Sequence, residues 1–165
     1  MEIQIELTQG KIALIDEADW DLVRGYRWYA QKGGSTYYAQ ATISREGGGQ
    51  RGILMHRLII GLNNPKIHTD HIDGNGLNNR RDNLRACSRS ENMHNRGAYA
   101  TNMSGFKGVS WHKQRGKWQA QIKFNGKNRH LGLYSTPEEA HQAYCRAAID
   151  LHGDFANFGM AGMEA

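Results

Sequence analysis

The sequence predicts an α+β protein with an N-terminal β-rich module, a central strand–strand–helix motif, and a C-terminal three-stranded antiparallel sheet packed on one helix. Three observations lead to this prediction: alternating hydrophobic residues near the N-terminus, a cluster of asparagine and histidine in the middle, and strand signals followed by a well-capped helix. The 165 residues suit a few small modules and exclude a large multidomain enzyme. We place the modules at residues 1–55, 56–98 and 102–158.

The N-terminal module consists of short strand candidates. Hydrophobic and polar residues alternate over residues 3–7, which is the period of a half-buried strand, and residues 11–15 form a second candidate. Asp16 or Asp19 is expected to cap a short helix, and a hairpin is expected around residues 33–35. Three aromatic residues are expected in the core: Trp20, Trp28 and Tyr29. Nothing in this module indicates a chemical function.

The central module is rich in asparagine and histidine. Residues 63–102 contain nine asparagines and three histidines. Asparagine is favoured in turns and helix caps because its side chain forms hydrogen bonds with nearby backbone groups. This composition predicts a loop-rich element held together by side-chain hydrogen bonds, which is a common setting for a functional site. Within it, Asp73 and Asn75 are expected to shape a turn with Gly74.

The same module contains residues suited to metal binding and proton transfer. Asp70 and His71 are adjacent at the expected bent end of a strand. Ser88 and Glu91 form a capping-box pattern, which predicts a short helix after Ser88 with Asn92 near its N-terminus. A carboxylate and an amide oxygen there could bind a hard divalent cation and leave the imidazole to deprotonate water. The alternative is a set of polar loop residues that satisfy one another. Three arginines are candidates for phosphate contacts: Arg85, Arg89 and Arg96.

The C-terminal module has the clearest pattern. Residues 105–111, 117–124 and 129–134 are strand candidates, and the Asn125-Gly126 pair is a strong hairpin signal. The cues for the following helix are a Thr136–Glu139 capping box, Pro137 at its first position and Gly153 after its end. Small and apolar residues share one helix face: Ala140, Ala143, Tyr144, Ala147, Ala148 and Leu151. This stripe is expected to pack on one face of the sheet and to leave the other face exposed.

The net charge of +5 is concentrated towards the C-terminus. Residues 1–60 carry seven basic and seven acidic side chains, whereas residues 104–134 carry seven basic and no acidic ones. Such a strip attracts polyanions, although it is also typical of a solvated, lysine-rich sheet face. Two distant cysteines exclude a zinc ribbon and a disulfide framework, and we expect no zinc. No membrane association is expected, and a cytoplasmic location is expected.

The run DHIDGNGLNNRRDNLRACSRSEN, residues 70–92, resembles the HNH nuclease motif in the variant found in phage and intron-encoded homing endonucleases. The resemblance implies a ββα-metal fold that clasps one divalent ion, either Mg²⁺ or Mn²⁺. It also implies that His71 is the general base, that Asn83 braces the loop and orients the histidine, and that Asp70 and Asn92 bind the metal. Arg89 is a weaker candidate for a phosphate contact. The remaining histidines of this region are interpreted as structural or phosphate-facing: His56, His68 and His94. His94 is also an alternative to Asn92 at the third motif position, but its spacing fits the motif less well.

Residues 104–158 resemble an AP2 DNA-binding domain, which is known from plant transcription factors and phage HNH nucleases. The similarity lies in segments 107–109, 116–118 and 131–132 and in the pattern of the helix. The resemblance implies that the sheet enters the major groove of double-stranded DNA. The candidate DNA contacts are Lys107, Ser110, Arg115, Lys117, Gln121, Lys123, Arg129 and His130. Ser110, Arg115 and Gln121 depart from the plant pattern, so a plant-type target sequence is not expected. Trp118 is expected to pack beneath the helix.

The leading interpretation is a site-specific DNA endonuclease that acts as a monomer and nicks DNA with one divalent metal ion and a histidine general base. One alternative is a non-catalytic, sequence-specific DNA-binding protein, an AP2-type regulator with a degenerate HNH motif. A third is an RNA-binding module, because a basic sheet also suits RNA. The presence of the complete set of motif residues favours the nuclease.

Overall fold

The computed structural model describes residues 1–95 and 102–159, and it confirms the α+β class. The chain folds into two compact units, Met1–Arg89 and Ser90–Ala165. The first unit contains the N-terminal module together with residues 56–89 of the central module. The second contains the C-terminal sheet and helix.

The first unit is built from three small antiparallel sheets. β1 (Glu2–Glu6) pairs with β2 (Ile12–Asp16), as the alternation predicted. The predicted hairpin is also confirmed: β3 (Tyr29–Gly33) pairs with β4 (Thr36–Ser44), and β5 (Gln50–Leu54) pairs with the other edge of β4. Two short helices, α1 (Trp20–Val23) and α2 (Met55–Ile59), complete this part. The core between these elements includes Ala13, Ile15, Val23, Ala39, Met55 and Ile59.

The predicted helix cap is wrong for both aspartates. A 3₁₀ turn, Glu17–Asp19, precedes α1, and neither Asp16 nor Asp19 accepts a capping hydrogen bond there. Asp16 accepts hydrogen bonds from the Arg80 side chain and the Arg81 backbone, and Asp19 accepts them from the Arg81 guanidinium. Charged partners distant in sequence outcompete the nearby backbone donors because a charge-assisted bidentate bond is the stronger interaction.

The three aromatic residues expected in the core have different environments. Trp28 is buried, and its indole N–H donates to the Val23 carbonyl at 2.9 Å. Tyr29 is half-buried, whereas Trp20 is exposed at the start of α1. The core prediction therefore holds for Trp28 and is wrong for Trp20.

The third sheet of this unit is a hairpin, in which β6 (His68–His71) pairs with β7 (Leu84–Cys87). The loop between the two strands is fixed by the N-terminal module. The backbone N–H of Leu14 donates to Leu77 O at 2.8 Å, and Asn79 N–H donates to Leu14 O at 2.7 Å. Gly76 lies so close to the Tyr38 ring that an added Cβ would approach it to 2.6 Å. Only glycine fits at this contact.

The second unit contains a three-stranded sheet and the longest helix among residues 1–95 and 102–159. Its strands β8 (Val109–His112), β9 (Lys117–Phe124) and β10 (Lys127–Tyr134) follow one another as antiparallel neighbours. Asn125 and Gly126 join β9 to β10 with φ of 49° and 77°, the left-handed conformation that this tight turn requires. The short helix α3 (Arg89–His94) has all but its first residue in this unit.

The helix α4 (Pro137–His152) has the predicted capping box between Thr136 and Glu139 and ends before Gly153. Its small-residue stripe packs on the sheet, where Val109, Ala120 and Ile122 are buried. Gly108, with φ of 76°, lies directly against the Tyr144 ring and leaves no space for a side chain. Within the described residues, no helix combines the length and the apolar character needed to cross a membrane.

Candidate nuclease site and nucleic-acid interface

Asp70 and His71 occupy the last two positions of β6, where the chain enters the loop that leads to β7. Their exposed fractions are only 4% and 5%. The Asp70 carboxylate faces Arg85 on the paired strand, and its Oδ2 accepts hydrogen bonds from Arg85 Nε at 2.8 Å and Nη2 at 2.7 Å. This cross-strand ion pair gives the buried carboxylate a charged partner on the neighbouring strand.

The asparagine-rich loop between the two strands is held by side-chain hydrogen bonds, as its composition predicted. Asn83 Nδ2 donates to Asp73 Oδ1 at 2.9 Å and to Asn78 O at 2.8 Å, and Asn83 Oδ1 accepts from the Asp73 backbone at 3.0 Å. Asp73 also accepts from the Asn75 backbone at 2.8 Å, around Gly74. Asn83 thus braces the loop that begins immediately after His71.

The His71 imidazole lies among three side chains. Its Nε2 is 3.5 Å from Asn79 Oδ1, and its ring centroid is 4.9 Å from that of His56 and 5.8 Å from that of Tyr38. Burial lowers the pKa of His71, although the Asn79 contact and the carboxylates of Asp73 and Asp70 oppose this shift. A histidine with a lowered pKa is neutral near pH 7, which is the form that can accept a proton.

The pKa of His56 is also lowered by its surroundings. Burial, together with the charges of His71 and Arg57, lowers the pKa of His56 to about 3. His56 therefore stays neutral across the physiological range and adds no positive charge beside the candidate base.

The other residues assigned to the motif lie further along the chain. Arg89 is the exposed last residue of the first unit, and Asn92 is half-buried on α3 in the second. Arg96, a candidate for a phosphate contact, lies outside the described residues.

The helix α3 is tightly attached within the second unit. The Lys107 ammonium donates to His94 O at 2.7 Å, at the C-terminal end of α3, and burial lowers the pKa of Lys107 to about 8. The His94 ring stacks on His152 with centroids 3.7 Å apart. Asn157 Nδ2 donates to Asn95 Oδ1 at 3.3 Å. The helix that bears Asn92 is therefore fixed to the sheet-and-helix module by three side-chain contacts.

The strand register places five of the eight candidate DNA contacts on one face of the β8–β9–β10 sheet. On β9, Ala120 and Ile122 face α4, so the residues that alternate with them point to the open side. The pairs Ser110–Gln119, His112–Lys117, Gln121–His130 and Lys123–Asn128 therefore share this side. We call it the open face; the candidate contacts on it are Ser110, Lys117, Gln121, Lys123 and His130.

The remaining three candidates lie elsewhere. Arg129 pairs with Ile122, so it is on the helix side of the sheet, where its guanidinium lies 4.8 Å from the Phe124 ring centroid. Arg115 is exposed in the turn between β8 and β9. Lys107 precedes β8 and donates to α3 as described above. This hydrogen bond occupies one of the three N–H donors of the Lys107 ammonium. As predicted, Trp118 packs on the helix side of the sheet. The centroids of the Trp118 and Trp111 rings are 5.0 Å apart.

Asp70 in the first unit and Asn92 in the second each carry an oxygen donor of the kind that Mg²⁺ prefers. Within residues 1–95 and 102–159, three or more His, Cys, Asp or Glu side chains do not converge in an arrangement able to hold a metal ion.

Sequence reasoning missed Tyr38 and Asn79 as neighbours of His71 and treated His56 only as structural or phosphate-facing. Asn79 is one of several asparagines in the central module, and nothing in its local sequence indicates a contact with His71. Tyr38 precedes His71 by more than thirty residues, and no local pattern indicates such a contact.

Comparisons with known proteins agree with this arrangement. Residues 54–94 match the family model of the HNH endonuclease, and residues 104–154 match that of the AP2 domain. An uncharacterized HNH endonuclease of Acanthamoeba polyphaga mimivirus is 31% identical over 149 residues, which is 90% of this chain and 74% of the relative. Protein 3.8 of Escherichia phage T7 is 40% identical over 91 residues, 55% of this chain and 74% of that protein.

The C-terminal module has relatives of a different kind. An ethylene-responsive transcription factor of Arabidopsis thaliana is 40% identical over 57 residues, which is 33% of this chain and 13% of the plant protein. No solved structure matches the chain.

Proposed function

Because the chain belongs to the HNH endonuclease family and carries a C-terminal AP2 domain, we propose that it nicks double-stranded DNA at a specific site by magnesium-assisted, general-base hydrolysis. That it is a DNA-binding nuclease follows from the family. The single observation that supports the mechanism is the buried His71 imidazole beside the Asp70 carboxylate at the end of β6. The family assignment favours this reading over a non-catalytic regulator and over an RNA-binding module.

In the proposed reaction, neutral His71 accepts a proton from water as the oxygen attacks the scissile phosphorus. The bond from phosphorus to the 3′ oxygen of the leaving strand then breaks. General-base catalysis of this kind contributes about 10²–10⁴-fold to a rate. Asn83 contributes by fixing the loop that follows His71, through its hydrogen bonds to Asp73 and Asn78.

HNH endonucleases generally use a divalent metal ion. We propose Mg²⁺ for this chain, with Mn²⁺ as an alternative, and assign Asp70 and Asn92 as the protein ligands. The bound ion would neutralise charge that develops on the phosphate and the leaving oxygen. We assign a phosphate contact to Arg89, and its exposure at the start of α3 supports this assignment. Arg85 forms a cross-strand ion pair with Asp70 at 2.7 Å.

We propose that the open face reads the target in the major groove. Arg115 would contribute a contact from the turn between β8 and β9, and Arg129 would contribute one from the helix side of β10. A single nuclease motif per chain supports a monomer that cuts one strand. We also propose a homing-type role in the cytoplasm of a bacterial or phage-infected cell; the phage source of one relative supports the phage-infected cell.

Removing divalent metal is expected to abolish cleavage. We expect supercoiled plasmid containing the target site to be converted to the nicked form with Mg²⁺ or Mn²⁺, and to remain supercoiled with EDTA. Restoring excess Mg²⁺ should restore nicking. Cleavage at an unchanged rate in EDTA would contradict metal assistance, and linear product under single-hit conditions would contradict nicking.

Removing charge from the open face should weaken DNA binding in a salt-dependent manner. Lys117→Gln combined with Lys123→Gln is expected to reduce the slope of log K against log salt by about 2, because each phosphate contact contributes about 0.9. The matched control, Lys32→Gln with Arg45→Gln, removes two exposed positive charges from the first unit and should leave the slope unchanged. Equal slopes for the two double variants would argue against the open face as the DNA contact.

A further inference from the structure

Three side chains from separate segments of the first unit surround the candidate general base. Tyr38 is on β4, His56 is on α2, and Asn79 is in the loop between β6 and β7. The His56 ring meets the His71 ring edge-to-face, with an interplanar angle of 87° and centroids 4.9 Å apart. Tyr38 contacts both rings, with centroid distances of 5.5 Å to His56 and 5.8 Å to His71. The four groups form one continuous cluster.

Asn79 can restrict the imidazole chemically. Its side chain has no exposed surface, and its Nδ2 donates to Leu77 O at 3.0 Å, which fixes the amide with Oδ1 towards His71 Nε2. A carbonyl oxygen only accepts hydrogen bonds. The contact therefore selects the imidazole tautomer whose Nε2 carries the proton, and it restrains rotation of the ring.

The N-terminal module holds this cluster in place. Leu14 on β2 forms two backbone hydrogen bonds with the loop, one of them to Asn79 itself. Thr36, at the start of β4, accepts a hydrogen bond from the Gly76 backbone at 3.0 Å, and the absence of a side chain at Gly76 lets Tyr38 approach. Contacts from β2 and β4 thus fix both the loop and the aromatic wall beside His71.

We propose that Tyr38, His56 and Asn79 are positioning residues for His71, and that the N-terminal module serves as the wall of the nuclease site. Aromatic contacts on one side and an amide oxygen on the other limit the imidazole to the orientation from which it can deprotonate water. This inference rests on the proposed function, because it concerns the same general base. It gives the N-terminal module a role in the chemical step.

The test compares disruptive and conservative substitutions at two of the three positions. His56→Ala and Tyr38→Leu remove the rings that contact His71, and each is expected to lower kcat about 10- to 100-fold, the order of loss caused by a displacement of about 1 Å. KM and the DNA dissociation constant should stay within about twofold, because the DNA-binding surface is untouched. His56→Phe and Tyr38→Phe keep a ring and should retain most of the rate.

The conservative variants also control for folding. His56 Nδ1 is buried and has no hydrogen-bond partner in the described part of the chain, so His56→Phe removes no hydrogen bond from that atom and should fold. If His56→Ala fails to fold, Tyr38→Leu at a half-buried position gives the same comparison. Unchanged kcat in Tyr38→Leu, with His71→Ala inactive, would overturn the positioning role alone. An active His71→Ala would instead overturn the proposed function.

Discussion

Replacing His71 with alanine is expected to lower the rate of DNA cleavage by about 10²–10⁴-fold, because the substitution removes the proposed general base. DNA affinity should change little, since the candidate DNA contacts lie in the second unit, on and around the open face. Asp70, Arg85 and the loop hydrogen bonds of Asn83 do not require the imidazole, so the hairpin should remain folded. The measurement is single-turnover cleavage of a labelled duplex at saturating Mg²⁺, together with binding of the same duplex in Ca²⁺.

His68→Ala is the matched control for this prediction. His68 lies on the same strand and pairs with Cys87, three residues before His71, and it is only half-buried. Its removal should alter the rate by no more than a few fold. Cleavage by His71→Ala at the rate of the unsubstituted chain would contradict the assignment of the base. A similar loss in both variants would point to a general disturbance of β6.

Replacing Arg81 with alanine should destabilise the first unit by about 3–5 kcal/mol, the usual cost of leaving a buried charge without its partner. Asp19 is 1% exposed and accepts three hydrogen bonds of 2.7–3.0 Å from the Arg81 guanidinium, which also donates to Ile59 O at 2.9 Å. The loss should lower the melting temperature by at least about 12 °C for a unit of this size. Circular dichroism during thermal unfolding measures it directly.

Arg80→Ala provides the comparison, because Arg80 is adjacent in sequence and also forms ion pairs. Its partners Glu2, Asp16 and Asp82 are all at least partly exposed, so the expected destabilisation is about 1 kcal/mol or less. Equal effects of the two substitutions would show that burial of Asp19 does not govern the stability of this unit. The double substitution of Asp19 and Arg81 by alanine should recover part of the loss, because it removes the unpaired charge.

Local sequence patterns predicted the second unit well. β9 has the predicted bounds, the Asn125-Gly126 turn has the expected positive φ values, and the Thr136–Glu139 capping box begins α4. Each of these features depends on residues within a few positions of one another, so the sequence contains the necessary information. Period-2 alternation was equally sufficient for β1, where one strand face contacts the core.

The features that sequence reasoning missed depend on contacts distant in the chain. Asp19 was expected to cap α1, but its partner Arg81 follows it by 62 residues. The environment of His71 combines residues from β4, α2 and the central loop. Spacing along the chain cannot indicate which of many polar residues meet in this way.

The attachment of α3 has a consequence for how this protein could have been assembled by recombination. Lys107, His152 and Asn157 contact the end of α3, so the helix bearing Asn92 depends on side chains of the C-terminal module. Exchanging the AP2 domain for another DNA-binding domain at residue 102 would separate α3 from these contacts. A junction before Ser90 would instead keep α3 together with the side chains that hold it. The C-terminal module and α3 are therefore expected to be inherited as one unit.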